Sequence, residues 1–207
     1  MLVVRTADAP RVRWRNDGGW TREIMRSPSA GEQFDWRVSI AEVETVGPFS
    51  AFDGYDRVLV LLEGAGMDLR FVDDGRTVHL RPDERRARFA GEAPITATLV
   101  DGPTTDFNLI WRRDSFVATA RYFSAVDDLG AGGGSGVTAG AHIVHGSMAL
   151  PDGTELSTGD TVVSAEGEHL NLHGNGAFVA FVVVPRDPTM TDVTWPTGLV
   201  VGAKSTG

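Results

Sequence analysis

The chain has 207 residues, no cysteine, 25 glycines and 10 prolines, and its 19 Lys+Arg against 28 Asp+Glu leave a formal net charge of −9. Without cysteine there is no disulfide framework, Cys-ligated zinc site, iron–sulfur cluster or thiol nucleophile. The acidic balance argues against a nucleic-acid partner, which needs clustered Lys and Arg, and a 42% hydrophobic share is that of a globular chain long enough to bury a core.

In chain order, the periodicity is mostly two. Residues 36–41 alternate large apolar with small or polar side chains, as a strand with one buried face does. Residues 57–62, 77–80, 95–100, 106–111 and 117–123 also read as strands. Turn signals separate them: Gly47-Pro48, Asp53-Gly54, Asp73-Asp74-Gly75, Gly91 and Asp101-Gly102-Pro103. Residues 83–89 read as a solvated loop, because five of the six residues from Asp83 to Arg88 are charged. The composition then breaks at a glycine-rich stretch, 130–136, that reads as a flexible linker. Beyond it, 142–145, 160–164, 169–172 and 178–184 are further strands, with Gly174-Asn175-Gly176 among their turns. The expected organisation is a larger β-unit over 1–126, a linker over 127–140, a smaller β-unit over 141–198 and a flexible tail over 199–207. The longest apolar runs, 58–62 and 177–184, are far short of the roughly 20 residues of a membrane helix. With no small-residue cleavage site near the start, the expectation is a soluble cytoplasmic protein with no membrane partner.

Three stretches carry a resemblance. The first runs from Trp14 through Asn16-Asp17-Gly18-Gly19-Trp20-Thr21-Arg22-Glu23 to Ile24. The second is Phe34-Asp35-Trp36-Arg37-Val38-Ser39-Ile40-Ala41-Glu42-Val43, followed by Gly47-Pro48-Phe49-Ser50 and Asp56-Arg57. The third is Phe89-Ala90-Gly91, then Asp106-Phe107-Asn108-Leu109-Ile110 with Arg112-Arg113. Together they resemble the HutD/Ves family. The resemblance implies an all-β fold of double-stranded β-helix (cupin, jelly-roll) barrels, two to a chain. It also implies a link to histidine utilisation and a small carboxylate ligand such as formate or urocanate, with no established enzymatic activity.

Metal-binding cupins share a frame of His-x-His, then Glu, then Gly. Here that frame holds Ser50-x-Phe52, Arg57 and Gly64, and the position of the downstream His is Pro94. A hydroxyl, a phenyl ring and a guanidinium do not hold a divalent metal, so no metal and no cofactor are expected. The replacements suit an anion: a guanidinium in a barrel mouth is a bidentate partner for a carboxylate, and Phe49 or Phe52 would stack on a flat ring. In the alternative, Arg57 pairs with Asp56, Asp53 or Glu63 at the rim.

Asn16, Thr21 and Glu23 are candidate pocket residues, Arg22 lying on the other strand face; alternatively Arg22 and Glu23 form a surface ion pair. Asp106 and Asn108 share a face opposite Phe107, Leu109 and Trp111, and Arg37 and Ser39 oppose Trp36, Val38 and Ile40. Which face lines a cavity is open in the sequence. Of the five histidines, His142 and His145 face opposite sides of one strand, and His169 and His173 lie about 13 Å apart along another. The expected protein is a non-enzymatic carboxylate binder; the alternative is an enzyme using Glu23 or Asp106 as its acid–base group. A homodimer through an exposed edge strand is a further expectation.

Overall fold

The computed structural model describes residues 1–28, 30, 33–132, 134–187 and 200–203. Every strand pairing among them is antiparallel, and the described residues contain no α-helix. From the N-terminus, β1 (Leu2–Arg5) precedes a 3-10 turn at Thr6–Asp8. Then come β2 (Arg11–Arg13), β3 (Gly19–Ser27), β4 (Trp36–Val43), β5 (Gly47–Pro48), β6 (Tyr55–Glu63), β7 (Met67–Phe71), β8 (Thr77–Leu80), β9 (Arg86–Ala90), β10 (Ile95–Leu99) and β11 (Thr104–Arg112). They are followed by β12 (Phe116–Gly132), β13 (Thr138–Ala149), β14 (Glu155–Ser157), β15 (Asp160–Val163), β16 (His169–Pro185) and β17 (Val200–Ala203). The chain forms two compact units, one of Ala9–Ser115 and one of Met1–Asp8 with Phe116–Gly207.

The Ala9–Ser115 unit holds two sheets, a six-stranded one in the order β2-β3-β4-β11-β6-β9 and a four-stranded one in the order β5-β10-β7-β8. Their facing sides make one core. Val43, Leu59, Ala87 and Phe89 enter it from the larger sheet, and Met67, Leu69, Phe71, Leu80, Ile95 and Ala97 from the smaller. Phe71 meets Phe89 edge-on at 5.9 Å between ring centroids, a favoured aromatic geometry. The face of β4, β11 and β6 that carries Val43 and Leu59 into this core carries Arg37, Ser39, Asn108, Asp106 and Arg57 further along. The opposite face is apolar and fully buried at Val38, Val58, Phe107, Leu109 and Trp111. That resolves the choice left open in the sequence: the polar alternates of these strands point inward.

In the other unit, a seven-stranded sheet runs β1-β15-β13-β16-β12-β17, with β14 paired to β13. Its core includes Leu129, Ala141, Ile143, Leu156, Leu172, Phe178 and Val182. β12 and β16, 17 residues each, pair along their length with register shifts between Phe123 and Val126 and between Val126 and Asp128, where bulges bend and twist the ladder.

Several sequence expectations differ from this arrangement. The stretch read as a linker over 127–140 is largely paired strand. Gly130 lies opposite Asn171 and Gly132 opposite His169, while Leu129 and Ala131 alternate into the core. Glycine lowers strand propensity without forbidding a ladder whose alternate residues are buried. The boundary between units falls after Ser115 rather than at 126, and Met1–Asp8 joins the later unit because β1 pairs with β15. Gly174-Asn175-Gly176 lies inside β16 instead of forming a turn between two strands. Arg86–Ala90 is the edge strand β9 rather than a loop: Ala87 and Phe89 point inward, leaving the charges outward, where an edge strand is protected by them. Of the expected tail, Val200–Ala203 is β17 against β12, and 199 and 204–207 lie outside the described residues, as do 188–198 of the expected second β-unit. No helix among the described residues is long and apolar enough to cross a membrane.

Candidate functional site

The Asn16–Gly19 motif is a tight loop before β3. Trp14 N donates to Gly19 O at 3.0 Å and Asp17 N to Trp14 O at 3.1 Å. The Asn16 side chain accepts from Gly18 N at 3.1 Å, the local turn chemistry that favours Asn. Gly19 is obligatory by contact: a Cβ there would run into Glu42 O and the Trp14 ring. Trp14 folds over this glycine and donates its indole N–H to Thr21 Oγ1 at 2.7 Å. On β3, Arg22 turns to the other face and donates to Ala9 O at 2.6 Å, with Glu42 3.9 Å away. Glu23 lies 3.8 Å from Arg26 and 4.0 Å from Arg37. Arg22 and Glu23 do not pair with each other; each takes part in ion pairs with other residues, as the alternative of a surface ion-pair element has it.

The cavity of this unit has a volume of about 740 Å³, and all eleven sequence candidates line it: Asn16, Thr21, Glu23, Arg37, Ser39, Phe49, Ser50, Phe52, Arg57, Asp106 and Asn108. Strand register arranges its floor in rows. Glu23, Ser39, Asn108 and Leu59 face one another across β3, β4, β11 and β6, and Thr21, Ala41 and Asp106 form the next row. Arg37, Ile110, Arg57 and Phe89 make a row on the other side. Val12, Arg13, Trp14, Arg15, Ala41, Pro48 and Leu59 also line the cavity and were missed in the sequence. Trp14 and Ala41 sit inside the motifs already noted; the signal for Val12, Arg13 and Arg15 is only their closeness to Asn16.

Arg57 is 5% exposed. One guanidinium N–H donates to Ser50 O at 3.2 Å, and the guanidinium lies 5.3 Å from each of the Phe49, Phe52 and Phe89 ring centroids. Burial pulls its pKa down to about 10; the Asp106 charge opposes that shift and nearby Arg37 adds to it. The rim alternative for Arg57 is not what forms, since Asp56 instead faces Arg113 at 3.2 Å and Arg88 at 3.5 Å. Arg37 stacks on Phe34 at 4.9 Å and on Phe52 at 5.1 Å, and burial lowers its pKa against the pull of Glu23. Phe52 thus touches both guanidiniums, and cation–π attraction offsets part of their desolvation. Its backbone is fixed by Gly91, whose carbonyl accepts from Phe52 N at 2.9 Å; a Cβ on Gly91 would stand 2.6 Å from Phe52 O.

Asp106 is 1% exposed. Burial raises its carboxyl pKa to about 7, with Arg57 pulling the other way. Both Asp106 carboxylate oxygens, Asn108 Oδ1, Ser39 Oγ and the Nε atoms of Arg37 and Arg57 have no hydrogen-bond partner among the described residues. Buried polar atoms are normally paired, and these six without partners belong to residues that all line the one cavity. A divalent metal does not suit it: the cavity lining contains no His, and its two carboxylates share the space with the guanidiniums of the buried Arg57 and the half-buried Arg37. Among the described residues, no three His, Asp or Glu side chains gather as metal ligands anywhere.

Antiparallel sheets and a cavity lined by arginines define the class: an all-β, cupin-like protein with a polar cavity. Comparison with known proteins narrows this. The HutD family profile matches residues 6–180, and the chain belongs to the HutD family. It is 38% identical over 130 residues to an uncharacterised 21.2 kDa protein in the hutC 3′ region of Pseudomonas putida, covering 62% of this chain and 67% of that one. It is 40% identical over 109 residues to protein Ves of Citrobacter koseri, covering 52% of this chain and 56% of that one. The structure of HutD from Pseudomonas fluorescens SBW25 in a formate condition superposes with a TM-score of 0.77 at 30% identity, covering 90% of this chain and 99% of that one.

Proposed function

We propose that this protein is a non-enzymatic, metal-free binder of a small carboxylate metabolite, formate or urocanate, held in the Ala9–Ser115 cavity, and that it modulates histidine utilisation in the cytoplasm. In this reading each unit is one barrel of a bicupin. The observation that carries it is the buried Arg57 and the half-buried Arg37, each with a buried Nε that has no hydrogen-bond partner among the described residues, beside Ser39 Oγ. An unpaired buried cation is costly, and a carboxylate between the two arginines offsets that cost through charge-assisted hydrogen bonds. The formate condition of the Pseudomonas fluorescens HutD structure and the hutC-region position of the Pseudomonas putida relative support the ligand class and the pathway.

Isothermal calorimetry with formate and urocanate tests the reading. Wild type binds at least one of them, and Arg57→Ala weakens that binding about 10- to 100-fold, the worth of a hydrogen bond to a charged group. Absence of binding to wild type overturns the function, and equal affinity in the variant overturns the role of Arg57.

One observation favours a second reading. A buried carboxylic acid with a pKa near 7 is poised for proton transfer at neutral pH, so an enzyme using Asp106 as its acid–base group is the alternative. Turnover of urocanate by concentrated protein, lost in Asp106→Asn, would establish it; unchanged urocanate after long incubation counts against it.

A further inference from the structure

The polar atoms without partners in the cavity fall into two poles. The cationic pole is the row of Arg37 and Arg57, on either side of Ile110. The acceptor pole is Asp106, four residues from Ile110 along β11, an offset of about 13 Å in strand rise. Neither Asp106 oxygen accepts a hydrogen bond among the described residues, and Asn108 Oδ1, on the same face, accepts none either. Beside Asp106 on β4 stands Ala41, and both residues line the cavity. A lone monocarboxylate satisfies the arginines and leaves Asp106 as it was. Formate carries no nitrogen donor to offer Asp106.

We propose that the site is built for an amphoteric ligand, whose carboxylate meets Arg57 and Arg37 and whose other end presents a hydrogen-bond donor (a ring N–H, ammonium or amide N–H) to Asp106. This rests on the carboxylate-binding reading and narrows its ligand class. Asp106 is then a specificity-determining residue. A site built to receive a donor rejects an analogue that lacks one, because the buried acceptor stays unpaired.

Urocanate and cinnamate test it as a matched pair: both carry an acrylate, and only urocanate carries a ring N–H. Calorimetry at pH 8 on the full chain compares the two, with formate as the donor-free reference. The expected result is urocanate binding wild type about 10- to 100-fold tighter than cinnamate, although the phenyl ring is the more apolar. In Asp106→Leu that ratio falls to one or below, while formate binds at least as tightly as to wild type, which also shows the variant is folded. Asp106→Asn, closer in shape, keeps only part of the selectivity. Equal affinity of the pair in wild type, or a ratio unchanged in Asp106→Leu, overturns the inference and leaves carboxylate binding standing. Absence of binding by all three carboxylates to wild type removes the underlying reading as well.

Discussion

The two units bury polar groups on opposite terms. In the unit of Met1–Asp8 and Phe116–Gly207, the buried His142, Ser164 and Asp160 side chains have partners, and Thr6 Oγ1 is an isolated atom without one among the described residues. His142 Nδ1 lies 2.9 Å from Thr161 Oγ1, Ser164 Oγ accepts from Ala139 N at 2.9 Å, and Asp160 pairs with Arg5 and accepts from Ser157 N at 2.7 Å. In the Ala9–Ser115 unit, Arg37, Ser39, Arg57, Asp106 and Asn108 hold buried atoms without partners in one cavity. A matched polar group stabilises or is neutral, whereas an unmatched one is a reservoir of free energy that a ligand releases. One unit is therefore built for stability and the other gives up stability at its site. Stability and binding should separate between them.

The largest expected separation comes from the core of the matched unit. Phe178 is fully buried there, and Phe178→Ala should cost about 3–5 kcal/mol in denaturant unfolding, with carboxylate affinity of the folded protein unchanged. A loss of affinity as large as the loss of stability would break the comparison.

Next, the units should answer to pH with opposite sign. Asp106 titrates near 7 in the folded protein, well above an unfolded carboxyl near 3.8. Its contribution to stability is full below about pH 4 and is lost as pH rises through 7, a swing on the order of 4 kcal/mol. Because His142 contributes an opposite slope over about pH 4–6.5, Asp106→Asn should make stability rise with pH there. His142 goes the other way: burial pushes it down to about 4 from 6.5. Stability is intact above pH 6.5 and is lost as pH falls through 4, on the order of 3 kcal/mol. His142→Asn should instead make stability fall with rising pH over the same range, because only the Asp106 slope is left. Urea midpoints from pH 4 to 8 measure both, and a single shared slope removed by neither variant would contradict the contrast.

The smallest effect belongs to the exposed face of the cavity unit, where Arg13 meets Glu44 at 2.5 Å and stacks on Trp20 at 4.7 Å. Glu44→Gln should barely move the urea midpoint, and less still at high salt, as exposed pairs do. A larger, salt-independent loss would mean that this ion pair helps hold the cavity rim.

The fold was legible wherever one strand face is buried and the other polar. Residues 36–41 alternate cleanly, and β4 extends them by only two residues to Val43. The same rule found the site, since Arg37, Ser39, Asp106 and Asn108 are the polar alternates of otherwise apolar strands, although facing was open until register set it. β7 was overlooked although Met67, Leu69 and Phe71 alternate with Asp68 and Arg70, the same signal that marked the shorter stretch 77–80. Asp127–Gly132 was misread for a different reason: local composition reports conformational freedom, and the pairing of Gly130 with Asn171 depends on a strand 41 positions away. The rows across β3, β4, β11 and β6 were likewise out of reach, because they depend on non-local register.

The central claim is that the arginine pole of the cavity receives a carboxylate. A crystal structure of the protein grown with urocanate tests it most directly. The account predicts the ligand carboxylate inside the Ala9–Ser115 cavity with its oxygens about 2.7–3.2 Å from guanidinium nitrogens of Arg57 or Arg37. A ligand bound elsewhere on the chain, or a metal ion in the cavity held by protein atoms at about 2.0–2.2 Å, would contradict it.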